Sequence, residues 1–261
     1  IFSMLFGAGV VLMTQRSKER TGKAALLHYR RMFWLAVFGI GHAMLLWIGD
    51  ILFFYAVVGM VAFLLRRVWL WLLFLLAAIC FAVPASLFLF LDQMSAADMQ
   101  ELSMMWSPSA DYIESTRATY RGTWLGQVEL RYREWFGMLG FLALFGWRIL
   151  ANMLVGMALF RMGLFAAERS DAAYKRMIWV GFVVGLPICA YGVYDHDLHG
   201  WEMVRSMGVG SLFNYFGGLV VAFGWIGAVM LACRRDALPA LRERFAAVGQ
   251  MAFTNYIMHS V

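Results

Sequence analysis

Charge is scarce in this chain. Asp, Glu, Lys and Arg together make up 15% of its 261 residues, where a soluble globular domain carries about 25%. Beside 62% hydrophobic residues and a mean hydropathy of +0.70, that shortage excludes an ordinary soluble domain and leaves an integral membrane protein. Cysteine is scarce too. Cys80, Cys189 and Cys233 sit in or near apolar runs without CxxC spacing. They read as small core residues, not as a disulfide framework or metal site. No Walker loop, GxGxxG or GxSxG occurs, which removes the usual nucleotide-binding and nucleophile-elbow chemistries. No cleavable signal peptide is visible, and nothing points to a nucleic-acid partner. The chain begins at Ile1 and stops at Val261 inside an apolar run. The expectation is an internal piece of a longer protein, lacking helices at both ends.

What is present is a series of apolar segments, roughly 1–14, 32–49, 51–65, 68–91, 135–160, 177–194, 208–232 and 249–261. A helix needs about 20 residues to cross about 30 Å of hydrocarbon. The predicted fold class is all-α, a polytopic transmembrane helix bundle of about eight spans, the first and last truncated. Three regions are expected: a membrane half over 1–91, an outer helical loop over 92–134 and a second membrane half over 135–261. Sixteen of the 22 Lys and Arg fall in the connections 15–31, 66–67, 161–176 and 233–248. By the positive-inside rule these are cytoplasmic, and 92–134 and 195–207 lie outside. A bacterial inner-membrane location fits. The basic connection 15–31 is expected to contact anionic lipid. Trp34, Trp69, Trp71 and Trp179 fall at inner ends, and Trp47, Trp135 and Trp201 at outer ends, as aromatic belts do.

The run 32–65 would span about 51 Å as one helix, too long for one crossing. It is predicted to fold as a tight hairpin, with Gly49 ending one helix and Asp50 capping the next. The loop 92–134 is too long for a plain connection. Ser95 and Asp98 suit a capping pair, Glu114–Arg117 and Glu129–Arg133 suit helical pairs, and the third helix is expected to run into the membrane. The outer helices form a candidate lid. Pro84 and Pro187 are expected to kink their spans, and Gly181 and Gly185 to allow close helix contact.

Ionisable groups at membrane depth are expensive and usually face a bundle interior or a water cavity. His42 reads either as a neutral histidine bonded to a neighbouring helix or as a general base. Asp50 has a sufficient explanation as a helix cap, though a capping carboxylate can also orient an imidazole. Arg148 lies deep in its span and needs a carboxylate, a polar network or an anionic ligand, with Asn152 one turn on along the same face. Arg131 reads as a surface salt bridge or as a rim residue holding a phosphate or carboxylate. Asn255 and His259 share a helix face, and interhelical hydrogen bonding suffices for them, as it does for Asn214 and Tyr215. His196 and His199 in "DHDLH" lack the third ligand of a metal site, so no metal is expected.

The segments "IFSMLFGAGV", "RRMFWLAVFGIGHAMLLWIGDILFFYAVVG", "TYRGTWLGQVELRYREW", "LANMLVGMALFRMGL" and "VGQMAFTNYIMHS" together resemble the YeiB-like family of bacterial inner-membrane proteins, whose C-terminal half is a domain of unknown function. Gln250 stands where that family usually has Arg, and His259 where a Gln is common. The family is similar in architecture to membrane acyltransferases such as the heparan-glucosaminide acetyltransferase group. That resemblance implies acyl transfer from a cytoplasmic donor, acyl-CoA, to an envelope or small-molecule acceptor. His42 and Asp50 would be its catalytic pair, and Arg131, Arg148, Asn152, Asn255 and His259 its substrate-binding residues. The competing readings are a permease for a small anionic molecule, favoured by Arg148, and a membrane scaffold without chemistry.

Overall fold

The computed structural model describes residues 1–260, and the side chains of all of these except residues 17, 18, 20, 21, 92, 141 and 144. Lys18 and Arg20 of the basic connection therefore lie outside the described side chains, as Val261 lies outside the described residues. Everything regular is helical, with no strand among the described residues. The order is α1 (Phe2–Thr21), α2 (Ala24–Leu45), α3 (Leu52–Leu65), α4 (Leu70–Leu89), α5 (Ala96–Trp106), α6 (Ala110–Arg121), α7 (Trp124–Arg161), α8 (Asp171–Trp179), α9 (Gly185–Leu198), α10 (Met203–Met207), α11 (Val209–Arg234), α12 (Pro239–Gln250) and α13 (Ala252–Met258).

Among the described residues, three stretches are long and apolar enough to cross a membrane: Leu70–Leu89, Asp171–Leu198 and Met203–Arg234. A fourth counts if the two arms of α7, which meet at 64°, form one broken span. The sequence led us to expect eight. The shortfall has local causes. α1 gives its second half to polar residues, α3 has only 14 residues, and the last apolar segment is split between α12 and α13 at Met251. These apolar helices are compatible with a membrane protein.

Helix ends are built from the expected chemistry. Ser95 Oγ accepts the Asp98 N–H at 3.2 Å and donates to its carboxylate at 2.6 Å, so α5 begins on the predicted pair. Ser109 and Ser170 cap α6 and α8 in the same way, each satisfying an orphan N–H. The connection 15–31 differs from expectation, because its basic residues ride on the ends of α1 and α2. Only Gly22 and Lys23 separate those helices, and Gly22 takes the left-handed φ of +67° that suits a helix C-cap. Of the belt tryptophans, Trp135 is buried, while the other six are half or more exposed.

Two compact units emerge. The first comprises Ile1–Phe81, Val128–Glu168 and Ala232–Val261, and the second Ala82–Gln127 and Arg169–Leu231. In the first, α1 crosses α7 at near backbone contact. A Cβ on Gly7 would overlap the Met153 carbonyl, and one on Gly156 the Met4 carbonyl, so the crossing tolerates only glycine at both points. In the second, Gly181 and Gly185 lie against the α11 backbone at Gly224 and Val221, the close contact expected of them. Between α8 and α9, Val180–Val184 takes a π-helical turn. Pro187 follows it, and such a wide turn is one way a helix absorbs a missing N–H. α4 stays helical through Pro84.

Candidate functional site

The hairpin between α2 and α3 brings two ionisable groups together inside the first unit. α2 stops at Leu45, and the N–H groups of Leu46 and Trp47 both turn back to the His42 carbonyl at 2.9 Å. The six residues 46–51 between α2 and α3 then return the chain so that Asp50 faces His42. Its Oδ1 lies 3.0 Å from His42 Nδ1. Its Oδ2 accepts the Phe53 N–H at 3.0 Å, an i to i+3 capping bond made one residue ahead of the formal cap position. The expected capping role holds, but it is half of what Asp50 does. The other half is its bond to His42, eight residues before it in the chain.

Glycine permits this approach. A Cβ on Gly39 would come within 2.9 Å of Asp50 Oδ2 and overlap the backbone of Phe53. Gly49 plays a different part from the helix C-cap expected of it. Its φ is not positive, and a Cβ there would strike the Trp47 ring at 2.6 Å.

Tyr256 of α13 completes the cluster. Its hydroxyl donates to Asp50 Oδ1 at 3.3 Å and accepts the Ile51 N–H at 3.1 Å. Its ring centroid lies 5.2 Å from that of His42. Asp50 is fully buried and His42 3% exposed. Burial pushes the Asp50 carboxyl above its ordinary value, while the Phe53 N–H, the imidazole and the Tyr256 hydroxyl pull it down. The Phe53 N–H and the Tyr256 hydroxyl oppose that push without cancelling it, so the carboxyl stays above its ordinary value. Where Asp50 is ionised and the imidazole neutral, the hydrogen sits on Nδ1 and Nε2 keeps a lone pair. That atom is buried and has no hydrogen-bond partner among the described residues. A buried polar atom left bare in this way asks for a reason.

Two cavities flank the cluster. One, of about 400 Å³, is lined by Ser3, Asp50, Tyr55, Arg148 and Asn152 among others. The second, of about 1050 Å³, runs past Arg30, Arg31, Phe38, Asn255, Tyr256 and His259. Ile51 and Tyr55 line both, so the hairpin turn forms a shared wall. His42 lines neither and stands behind Asp50 and Tyr256. Arg148 and Asn152 share a face, as their spacing predicted, with the Asn152 amide donating to the Arg148 carbonyl at 2.8 Å.

Other expectations need correction. Arg131 is neither a surface salt bridge nor a rim residue. It is 2% exposed, and its guanidinium donates to the Met44 and Leu45 carbonyls at 3.1 and 3.0 Å. It thus caps the C-terminus of α2, where a cation meets orphan carbonyls and the negative end of the helix dipole. Asn255 donates to the Val248 carbonyl. Of the "DHDLH" histidines, His196 stacks on Trp201 and His199 bonds the Asp195 carbonyl. No group of three or more potential metal ligands lies together among the described residues. Tyr256 escaped sequence reasoning although it lies between Asn255 and His259. The signal was its place in the Ala-x-Thr-Asn-Tyr segment, where a phenol adjoining polar residues is a natural second donor.

Residues 159–261 match the model of a family described as a protein of unknown function (DUF418). The whole chain aligns with the uncharacterized protein YxaH of Bacillus subtilis (strain 168) at 25% identity, covering 64% of that relative. It also aligns with the uncharacterized protein YeiB of Escherichia coli (strain K12) at 26% identity, covering 66% of it. The chain therefore spans just under two thirds of the length of these curated relatives. No solved structure matches it.

Proposed function

Taking the chain as a YeiB-like protein with a DUF418 segment, we propose that it is the core of a membrane acyltransferase acting on an envelope or small-molecule acceptor. The observation that carries this reading is the His42–Asp50 pair, with its bare Nε2, set in the wall between two cavities. The carboxylate fixes the imidazole's tautomer and direction, as a buried Asp does for a catalytic base elsewhere. A hydroxyl or amine acceptor gives its proton to Nε2 as its oxygen or nitrogen bonds the acyl carbon. The carbon–sulfur bond of an acyl thioester breaks, and the departing thiolate takes the proton from the imidazolium. Asp50 stabilises the imidazolium throughout. Arg148 and Asn152 line the acceptor's cavity. Exposure of Nε2 requires a shift of the Trp47 and Tyr256 rings that pack on the imidazole.

The test is complementation of a deletion strain with the full-length protein and its His42→Ala and Arg148→Ala variants, reading envelope acylation by mass spectrometry. The expectation is an acylated species absent from the deletion, restored by wild type and not by His42→Ala. An identical acylation profile in the deletion strain overturns the reading. Arg148 in a cavity wall also suits passage of a small anion. Loss of anion uptake in Arg148→Ala, with acylation untouched, would favour a permease.

A further inference from the structure

The larger cavity has a chemistry that acyl transfer does not use. Its wall is apolar along α1, α2 and α13, through Phe6, Met32, Leu35, Phe38 and Phe253. Arg30 and Arg31, both exposed, also line it. No carboxylate is among the described lining residues. From Arg30 to Phe38 the α2 helix rises about 12 Å, so the two arginines lie toward the end of α2 expected to face the cytoplasm and Phe38 toward the hairpin. Apolar walls exclude a small soluble anion as the natural occupant. An apolar wall with two arginines of successive helix positions on it makes two demands, and one ligand meets both: an anion joined to a hydrocarbon chain.

We propose that this groove holds an anionic phospholipid of the inner leaflet. The phosphate sits on Arg30 and Arg31, whose planar forks match its oxygens. One acyl chain lies along Met32, Leu35 and Phe38 toward Tyr256. The proposal does not rest on the acyl-transfer reading, since a bound structural lipid needs no chemistry at His42.

The experiment uses the full-length protein in nanodiscs containing phosphatidylglycerol or phosphatidylcholine with a photoactivatable acyl chain. Labelled peptides are mapped by mass spectrometry. Phosphatidylglycerol is expected to label residues 32–38 and 252–256 well above phosphatidylcholine. Arg30→Gln and Arg31→Gln should each lower that labelling about fivefold, the effect of one basic residue near an anionic membrane surface. Ala252→Trp, which fills the groove and keeps both arginines, should lower it as well, so a folding defect in the arginine variants leaves the proposal testable. Added inorganic phosphate should not compete; displacement by phosphate alone would show a simple anion site and overturn the lipid assignment. Equal labelling by both lipids overturns it, as does crosslinking of the groove residues to another segment of the same chain. Because the readout is crosslinking, it stands or falls apart from any loss of acylation.

Discussion

Asp50 and Asp195 are both aspartates with almost no exposed surface, one in each unit, and both face a histidine and a helix end. Their surroundings part there. Asp195 is held by Arg205 in a two-point fork, at 3.0 Å to Oδ2 and 2.6 Å to Oδ1, with the His199 imidazole 3.6 Å away. A permanently charged partner saturates it, and the arrangement clamps α9 to α10. Asp50 pairs with an imidazole that can gain or lose a proton, and the far nitrogen of that ring is bare. It also lines a cavity. A buried carboxylate alone therefore says little. What separates a clamp from a candidate site is whether its partner keeps an unused lone pair and whether open space adjoins it.

The largest expected contrast comes from breaking both pairs. His42→Gln should lower acylation per folded molecule by about 10²–10⁴, the usual worth of a general base. Arg205→Ala should instead deplete folded protein, since it strands a buried charge, while acylation per folded molecule holds. Thermal unfolding in detergent beside acylation assays reads both. If each variant moves the same readout, the distinction between clamp and site fails. Next in size is Arg131→Ala. It removes charged donors from the α2 carbonyls, each such bond being worth about 1.5–3 kcal/mol, and the melting temperature should fall. Arg131→Lys should recover only part, because an ammonium cannot reproduce the fork.

A smaller effect is the pH dependence of Asp50. Its carboxyl is raised in the folded state, so the stability it contributes is full below the unfolded carboxyl range and is lost as pH rises through the folded value. Asp50→Asn should flatten that decline in melting scans from acid toward neutral pH. An unchanged slope would mean that another group governs it. Smallest is Glu114→Ala. The Glu114–Arg117 pair is more than half exposed, and such pairs are worth at most about 1 kcal/mol. A melting shift beyond error would show that α6 is covered in the assembled protein.

Much of this was legible in the residues. Ser95 before Asp98 fixes the start of α5 because a hydroxyl there has an orphan N–H to accept. Gly49–Asp50 marks a turn because the run 32–65 is too long to remain one helix. Arg148 and Asn152 share a cavity wall because four residues make one helical turn. Arg131 misled because a basic residue in an outer segment looks solvated. Only the packing of α7 on the hairpin, with Trp135 against Phe53 at 5.2 Å, shows it turned inward. The span count misled for a related reason. Apolar runs mark what avoids water, but helix length, breaks and end charges decide what can cross a bilayer.

The sequence by itself determined the all-helical class, the hairpin and the start of α5, because hydropathy, capping and turn chemistry act over a few residues. Tertiary structure alone decided that His42 meets Asp50, that Tyr256 arrives from 206 positions away along the chain to join them, and that cavities flank the result. Those contacts depend on how closely backbones approach at Gly7, Gly39 and Gly156, and the distance between helices is a property of packing that no local pattern encodes.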